Sequence, residues 1–327
     1  MMIDDQPFDR DLLRQRRERI ARDPDTAEAD FLFVEAAQRL ADRLMDVRRT
    51  FSDVVELGAR RGALRSAIEQ HAPHAAGERY VAGEANARWA KALPHGVQAD
   101  EETLPFAEQS ADLVLSNLSL HHVNDLPGTL SQVMQVLRPD GLFMAVMLGG
   151  DTLAEFRACM VEAESEITGG VHPRFSPMAD LRQAAALLQR AGFALPVADS
   201  ERVTVRYQEP LRLLGDLRAM GENNIRRDRS RQPLRRDVLG RALALYHERF
   251  GGSDGRVPAS FDLIFLTGWR PDASQPQPLR PGSASSRLAT ALGTTEQSAD
   301  DVVAPATQTR QAAPATPTDK PSDPETR

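Results

Sequence analysis

Two glycines in residues 54–64, VVELGARRGAL, have a spacing that suits a ligand-binding turn. Gly58 and Gly62 come after a short apolar run, and a stretch with helical character follows them. Glycine in such a turn permits a positive φ angle and a close approach of a ligand to the backbone. The pattern therefore predicts a loop that holds a nucleotide-like ligand, or else a turn that only packs, because two glycines alone are weak evidence.

Carboxylates stand near the predicted ends of the neighbouring strands. Glu56 precedes the turn, Glu84 ends the stretch RYVAGE, and Asp100 follows a third short apolar run. An acid at the end of the second strand can accept two hydrogen bonds from the vicinal hydroxyls of a ribose. Since Gly83 comes where this acid is usual, the ribose acceptor is either Glu84, one residue late, or missing.

Two histidines, His121 and His122, follow the predicted strand ADLVLSNLSL at 111–120. At the carboxyl end of a strand, each is a candidate general base or substrate contact, and a structural role is an equal alternative. No third ligand is evident beside them in the sequence, so we expect no metal here. The segment MGENN at 220–224 is interpreted as a substrate-side loop or as the end of a helix.

These residues need a scaffold, and apolar runs alternate with helical stretches from residue 53 to residue 148. Alternation at this spacing predicts βαβ units, a parallel sheet and a doubly wound α/β fold. RPDG at 138–141 is predicted as a turn before a buried strand. Later strands at 203–207 and 261–269 are expected to form an antiparallel edge.

Three segments flank or interrupt this scaffold. Residues 1–48 are predicted as a helical extension, in which Phe8, Leu12, Leu13 and Ile20 form an apolar stripe on a basic helix. This helix is expected to dock on the domain with a solvated outer face, a membrane-surface or partner-binding arm being the alternative. Within the domain, 49–270, a helical insertion at 209–258 is predicted as a lid. The tail 271–327 is predicted to be disordered.

The composition excludes several classes of protein. With 40 basic and 47 acidic residues, the net charge of −7 argues against general nucleic-acid binding. The single cysteine, Cys159, excludes an internal disulfide, and its apolar helix face predicts a core position rather than a nucleophile. No signal peptide or apolar run of about 18 residues is present, so a cytoplasmic protein with at most peripheral attachment at the inner face of a membrane is expected.

Basic residues concentrate in the predicted insertion. A solvated face is the simplest interpretation, and a basic lid that docks an acidic partner or a membrane surface is the alternative. The residues concerned are Arg212, Arg218, Arg226, Arg227, Arg229, Arg231, Arg235 and Arg236.

The segment 99–126, ADEETLPFAEQSADLVLSNLSLHHVNDL, is more specific than the glycines. With its acid, its Leu-Pro-Phe bend, its strand led by Asp112 and the later RPDG, the chain resembles the class I S-adenosylmethionine (SAM) methyltransferases of the type 11 domain. The resemblance implies a mostly parallel seven-stranded Rossmann-like sheet and SAM as the cofactor. It implies SAM contacts by Glu56, Gly58, Gly62, Glu84, Asp100 and Ser116, and places Ser116, Leu120 and His121 toward the substrate.

A narrower resemblance covers about residues 7–270. The blocks LSLHHVNDLPGTLSQVMQVLRPDGLFMAVMLGGDTLAEFR, HPRFSP, MGENN and DGRVPASFDLIFLTGW are similar to the mitochondrial complex I assembly factors described as arginine hydroxylases. That family is related to the malonyl-carrier methyltransferase of biotin synthesis. The resemblance implies modification of an arginine in a complex I subunit.

The first loop departs from the family pattern at Arg60, where glycine is usual, and Gly83 replaces the usual aspartate. A side chain at position 60 is expected to crowd the methionine part of SAM, and a positive φ there costs about 1 kcal/mol. Three hypotheses follow: a factor that modifies a complex I arginine, a methyltransferase of a small or carrier-bound acid, and a non-catalytic binding protein with a degenerate SAM loop.

Overall fold

The computed structural model describes residues 6–276 and 288–294. Residues up to Gln275 form one compact unit, and a second unit begins at Pro276. The helices of the first unit are α1 (Arg10–Arg22), α2 (Phe31–Met45), α3 (Ala63–His71), α4 (Ala87–Ala92), α5 (Leu126–Val136), α6 (Ala154–Thr168), α7 (Leu181–Arg190), α8 (Pro210–Met220) and α9 (Arg236–Phe250). The strands are β1 (Asp53–Leu57), β2 (Arg79–Glu84), β3 (Gly96–Gln98), β4 (Ala111–Asn117), β5 (Leu137–Leu148), β6 (Ala194–Tyr207) and β7 (Val257–Trp269).

All of these strands form one sheet in the order β3-β2-β1-β4-β5-β7-β6. Strands β1 to β5 run parallel, whereas β7 pairs antiparallel with both β5 and β6. Apolar residues of α2 and α3 pack on one face of the sheet, and those of α5 and α7 pack on the other. The predicted doubly wound, mostly parallel α/β sheet with an antiparallel edge is confirmed. Because the strand order reverses between β1 and β4, a ligand is expected in the crevice beyond their carboxyl ends.

The two edge strands are longer than predicted. Strand β6 begins at Ala194 rather than at residue 203, and β7 begins at Val257 rather than at residue 261. Along β6 the side chains alternate between exposed and half-buried positions, so the apolar run that signals a strand is short. Pairing with β7 nevertheless continues from Ala194 to Tyr207.

The predicted turn RPDG lies inside β5 rather than before it. Leu137 pairs with Ala111 and Leu142 pairs with Leu113, so the residues between form an irregularity in the ladder. Asp140 there has a φ of 60°, and its carboxylate accepts a hydrogen bond of 2.6 Å from Arg49. Residues 138–141 thus interrupt the regular pairing as a turn sequence would. Leu137 before them and Leu142 after them both pair with β4, so the strand includes the turn.

The predicted helical extension contains α1, a 3₁₀ turn at Pro24–Asp30 and α2. Asp9 caps α1 by accepting a hydrogen bond of 3.0 Å from the Leu12 backbone N–H. The predicted insertion contains α8 and α9, and it ends before residue 258 because β7 has already begun. No helix of the described residues is long and apolar enough to cross a bilayer.

The predicted start of the disordered tail at residue 271 is too early. The Gln275 side chain donates hydrogen bonds of 3.0 Å to Asp140 and 2.8 Å to the Arg270 carbonyl, so the chain is ordered to this point. In the second unit, Leu288–Ala291 is a short helix, α10. The rest of the predicted tail, 277–287 and 295–327, lies outside the described residues.

Candidate functional site

The glycine loop connects β1 to α3 at the crevice. Gly58, Arg60 and Gly62 all have positive φ angles, 72°, 47° and 79°, so the turn predicted from the two glycines is present. A Cβ atom at Gly58 would overlap the Ser119 side chain. Glycine is therefore required at position 58 because the Ser119 side chain lies close to its backbone. A bound ligand is not needed to explain this glycine.

The Arg60 side chain is engaged within the protein. Its guanidinium carbon lies 4.2 Å from the centre of the Phe33 ring and 4.8 Å from that of Trp89, and its Nη2 donates a hydrogen bond of 2.7 Å to Asp30. Arg61 binds the other oxygen of Asp30 at 2.6 Å. The positive φ predicted for Arg60 is confirmed, whereas crowding of SAM by its side chain stays a prediction.

The acid that faces this loop is Glu84, the last residue of β2. Its carboxylate accepts hydrogen bonds of 2.7 Å from the Arg60 backbone N–H and 2.8 Å from that of Asn86, and burial raises its pKa. A Cβ atom at Gly83 would lie 3.0 Å from the Glu56 carbonyl oxygen, so that position has little room for a side chain. The candidate ribose acceptor is thus Glu84, although both of its carboxylate oxygens already accept hydrogen bonds from backbone N–H groups.

Glu56 and Ser116 lie beneath the loop, between strands. The Tyr80 hydroxyl donates a hydrogen bond of 2.7 Å to Glu56, and the Ser116 hydroxyl donates one of 3.0 Å to the Leu57 carbonyl. Both residues are almost completely buried. They hold the strand ends together in this structure, and their predicted contacts with SAM stay predictions.

Burial raises the pKa of Glu56 to about 7. A folded-state pKa above the unfolded value means that protonation stabilises the fold, and this contribution is lost as the pH rises from about 4.5 through 7. Glutamine does not titrate, so raising the pH from 5 to 8 should destabilise the wild type but not Glu56→Gln. The difference in the free energy of unfolding should shift in favour of Glu56→Gln by up to about 3 kcal/mol. Urea unfolding of both proteins at the two pH values measures the change, and a pH-independent difference would contradict it.

Helix α1 closes the crevice from above. Arg10 binds Asp100 at 2.6 Å and Glu101 at 2.7 Å, and Arg17 binds Glu101 at 3.4 Å. Glu101 also accepts a hydrogen bond from the Ser119 hydroxyl and is 1% exposed. Asp100 was predicted as a site residue and Glu101 was not, because the acids of the run ADEET cannot be ranked without knowing where α1 docks.

The loop and Glu84 lie where a nucleoside cofactor such as SAM would bind in this fold. The open space beside them, however, is small. The cavity between α1 and the end of β2 measures about 220 Å³ and is lined by Arg10, Arg17, Asn86 and Gln98 among others. Small-molecule sites usually measure about 300 to 1,000 Å³. This cavity is thus smaller than a typical site for a whole cofactor, and Arg10 of α1 forms one of its walls.

A larger cavity of about 870 Å³ lies on the other side of α1, between the insertion and the turn after β5. The acidic residues that line this cavity are Asp23 and Glu222, and apolar residues such as Phe156 and Phe175 also line it. None of the six predicted SAM contacts is among its lining residues. The arginines that line it are Arg16, Arg19, Arg157, Arg174, Arg218, Arg229 and Arg231. Basic side chains thus outnumber acidic ones around the cavity, and residues of the insertion form part of its wall, whereas a role as a lid stays a prediction.

One of the two predicted histidines, His122, lines this cavity, and His121 lies directly beside it. The Nε2 atoms of His121 and His122 lie 3.1 Å and 3.3 Å from the same oxygen of Glu222. Burial lowers the pKa of His122 to about 4, and the two histidines hold the pKa of Glu222 well below its usual range. Glu222 and His122 line the cavity. The expectation of no metal rested on a missing third ligand, and the structure supplies that group.

Glu222 follows directly on α8, which ends at Met220. The interpretation of MGENN as a helix end is confirmed, and its Glu222, Asn223 and Asn224 line the cavity, whereas a role as a substrate-side loop stays a prediction. Cys159 is completely buried on α6, as predicted for a core residue.

Comparison with known proteins agrees with this architecture. Residues 55–145 match the family model Methyltransf_11, described as a methyltransferase domain. The sheet order, the glycine loop and this match define a class I methyltransferase fold, as the resemblance predicted.

The relatives narrow the class. "Arginine-hydroxylase NDUFAF5, mitochondrial" is 39% identical in Danio rerio over 284 residues, covering 85% of this chain and 87% of the relative. The Homo sapiens protein of the same name is 39% identical over 280 residues, covering 85% and 81%. This chain belongs to the arginine-hydroxylase NDUFAF5 family. It is also 34% identical to the "Malonyl-[acyl-carrier protein] O-methyltransferase" of Halorhodospira halophila over 242 residues, covering 72% and 80%. Both predicted resemblances are confirmed.

Proposed function

We propose that the protein modifies an arginine side chain of a respiratory complex I subunit during assembly of that complex. The observation that carries the proposal is the 39% identity, over 85% of the chain, with relatives named arginine hydroxylases. The site offers one suitable feature for such a substrate. Glu222 is a buried carboxylate that lines a large cavity, and its oxygen that the histidines do not contact can accept a hydrogen bond from a guanidinium.

The charge of the cavity restricts how an arginine enters. Seven lining arginines repel a free guanidinium, so the substrate's own acidic or neutral flanking residues must offset that repulsion. We therefore expect the modified arginine to lie in a segment with acids nearby. This requirement makes a protein segment a better substrate than free arginine.

Mass spectrometry of complex I subunits tests the proposal. In a strain that lacks the gene, we expect one arginine-containing peptide to lose the mass of one oxygen atom, or of one methylene, compared with the wild type. NADH–quinone activity of the membranes should fall with it. Unchanged subunit masses and unchanged complex I assembly would overturn the proposal.

A second candidate function is methylation of a small or carrier-bound acid. The basic cavity favours it, since arginines recognise carboxylates well. The relative from Halorhodospira halophila is named as such a methyltransferase. Incubation of the purified protein with SAM and a malonyl thioester, followed by mass spectrometry of the ester, separates this candidate from the first.

We also propose SAM as the ligand of the crevice, supported by the match to a methyltransferase domain. Gly58, Gly62, Glu84 and Asp100 would hold it, and its sulfonium would supply a methyl group. Calorimetric titration tests this: micromolar binding would exclude the hypothesis of a non-catalytic protein with a degenerate loop. No binding at millimolar SAM would exclude SAM-dependent methylation.

A complex I substrate implies a location. We propose that the protein works in the cytoplasm, at the inner face of the membrane, with at most peripheral attachment. Fractionation of cells should find it in the soluble fraction or in a membrane fraction from which high salt releases it. Recovery only after detergent extraction would contradict this.

A further inference from the structure

Three potential metal ligands, His121, His122 and Glu222, meet at the wall of the 870 Å³ cavity, although Glu222 is about a hundred residues from the two histidines in sequence. His121 and His122 lie in the 3₁₀ turn that follows β4, and Glu222 follows α8. The side chains of the histidines are 1% and 2% exposed, and that of Glu222 is 6% exposed. One ligand atom from each lies within 4.8 Å of the others.

The distances suit a shared ion. Ligand atoms about 2.1 Å from a metal, at right angles to one another, lie about 3 Å apart. The Glu222 oxygen lies 3.1 Å and 3.3 Å from the two Nε2 atoms. Hydrogen bonds have similar lengths, so these distances alone do not separate an ion pair from a metal site.

The second ring nitrogens of the histidines, the Nδ1 atoms, have no strong hydrogen-bond partner among the described residues. Nδ1 of His122 is buried and has no hydrogen-bond partner among the described residues. Nδ1 of His121 has one contact, with the Leu148 backbone N–H at 3.5 Å, which is too long for a strong hydrogen bond. A buried polar atom without a partner costs about 1 to 3 kcal/mol. A metal-binding histidine usually donates this second N–H to an acceptor, so the support for a shared ion comes from the burial of the three ligands and from the meeting of both Nε2 atoms at one Glu222 oxygen.

We propose that His121, His122 and Glu222 bind one divalent ion of a first-row transition metal. Two imidazole nitrogens and one carboxylate on one side of an ion, with the other positions open, form the ligand set that Fe(II) occupies in non-haem enzymes. The open positions would face the cavity, because His122 and Glu222 line it. The proposal of a metal site rests on the geometry of the three ligands alone. That the ion would face an arginine substrate rests on the proposed function as well.

Titration with Co(II) under anaerobic conditions tests the proposal, because bound Co(II) absorbs visible light according to its ligands. We expect the metal-free wild type to bind one equivalent with a visible band characteristic of nitrogen and oxygen ligands. Glu222→Gln should weaken this binding at least about 100-fold, since loss of an outer partner alone costs 10- to 100-fold. Fe(II) should compete for the same equivalent.

Glu164→Gln is the matched control. Glu164 is also a buried carboxylate that binds a histidine, His172, at 2.8 Å, but Arg174 completes that cluster. This variant should bind Co(II) as the wild type does. Circular dichroism shows whether each variant is folded, and Co(II) should raise the melting temperature of the wild type and of Glu164→Gln only.

Absence of a visible band in the folded wild type would overturn the proposal, whatever the variants do. A band that survives in folded Glu222→Gln would also overturn it, because the ion would then lie elsewhere. Failure of the proposed function is distinguishable: Co(II) would still bind while no subunit arginine changed mass.

Discussion

Replacing Glu101 with glutamine should lower the free energy of unfolding by about 3 kcal/mol. Arg10, whose side chain is 7% exposed, and Arg17, at 11%, both bind this carboxylate. Without this charge, Arg10 keeps the His122 carbonyl and, among the described carboxylates, the more exposed Asp100 and Glu102. Removal of one member of a buried ion pair costs much more than the pair itself contributes, because the other charge stays away from water. Urea unfolding measures the loss.

The effect should depend on pH in a defined direction. The two arginines and the Ser119 hydroxyl hold the pKa of Glu101 below its usual range, despite its burial. Its ionised form therefore stabilises the fold above the unfolded pKa of about 4.5, and the contribution is lost as the pH falls below that value. The stability difference between wild type and Glu101→Gln should accordingly shrink in acid.

An exposed ion pair gives the control for this experiment. Glu166 binds Arg241 at 2.8 Å on the surface, where solvent screens the pair, so Glu166→Gln should change the stability very little. Glu101→Gln should also speed tryptic cleavage at the arginines of α1, since Glu101 holds that helix over the crevice. A cost for Glu101→Gln no larger than that of the control would contradict the structural role assigned to it.

The loop and the sheet were predictable because their signals are local. A strand, two glycines with positive φ and an acid after the next strand all lie within about thirty residues, and the backbone alone requires them. The docked helix α1 was also predictable from its apolar stripe, of which Phe8, Leu13 and Ile20 are buried. The stripe did not predict that Arg10 and Arg17 of the same helix also face the domain, where they bind Glu101.

The remaining site residues depend on tertiary contacts. Glu222 lies next to a helix end, and only the folding of the insertion onto β4 brings it to His121 and His122. The basic residues of the insertion were interpreted as a solvated face. Three of the eight, Arg218, Arg229 and Arg231, line the cavity, and Arg218 and Arg231 are at the same time exposed to solvent. Periodicity shows which face of a helix is apolar, but not which charges face a cavity.

Arg60 allows the altered loop to be tested with two substitutions. Arg60→Ala removes the pairing with Asp30 and the stacking between Phe33 and Trp89, and we expect it to cost about 2 kcal/mol. Arg60→Gly removes the same contacts but also relieves the left-handed backbone conformation at φ 47°. It should therefore be about 1 kcal/mol more stable than Arg60→Ala. Chemical unfolding of both variants measures the difference.

The same pair of variants tests whether Arg60 limits cofactor binding. If its side chain crowds SAM, both variants should bind SAM more tightly than the wild type in calorimetric titration, and Arg60→Gly should bind most tightly. Arg61→Ala is the control, because Arg61 also binds Asp30 at 2.6 Å and does not have a positive φ. Equal SAM affinity in the wild type and both Arg60 variants would contradict crowding. In that case the contacts of Arg10 and Arg17 with Glu101, which hold α1 over the crevice, would be the barrier to the cofactor.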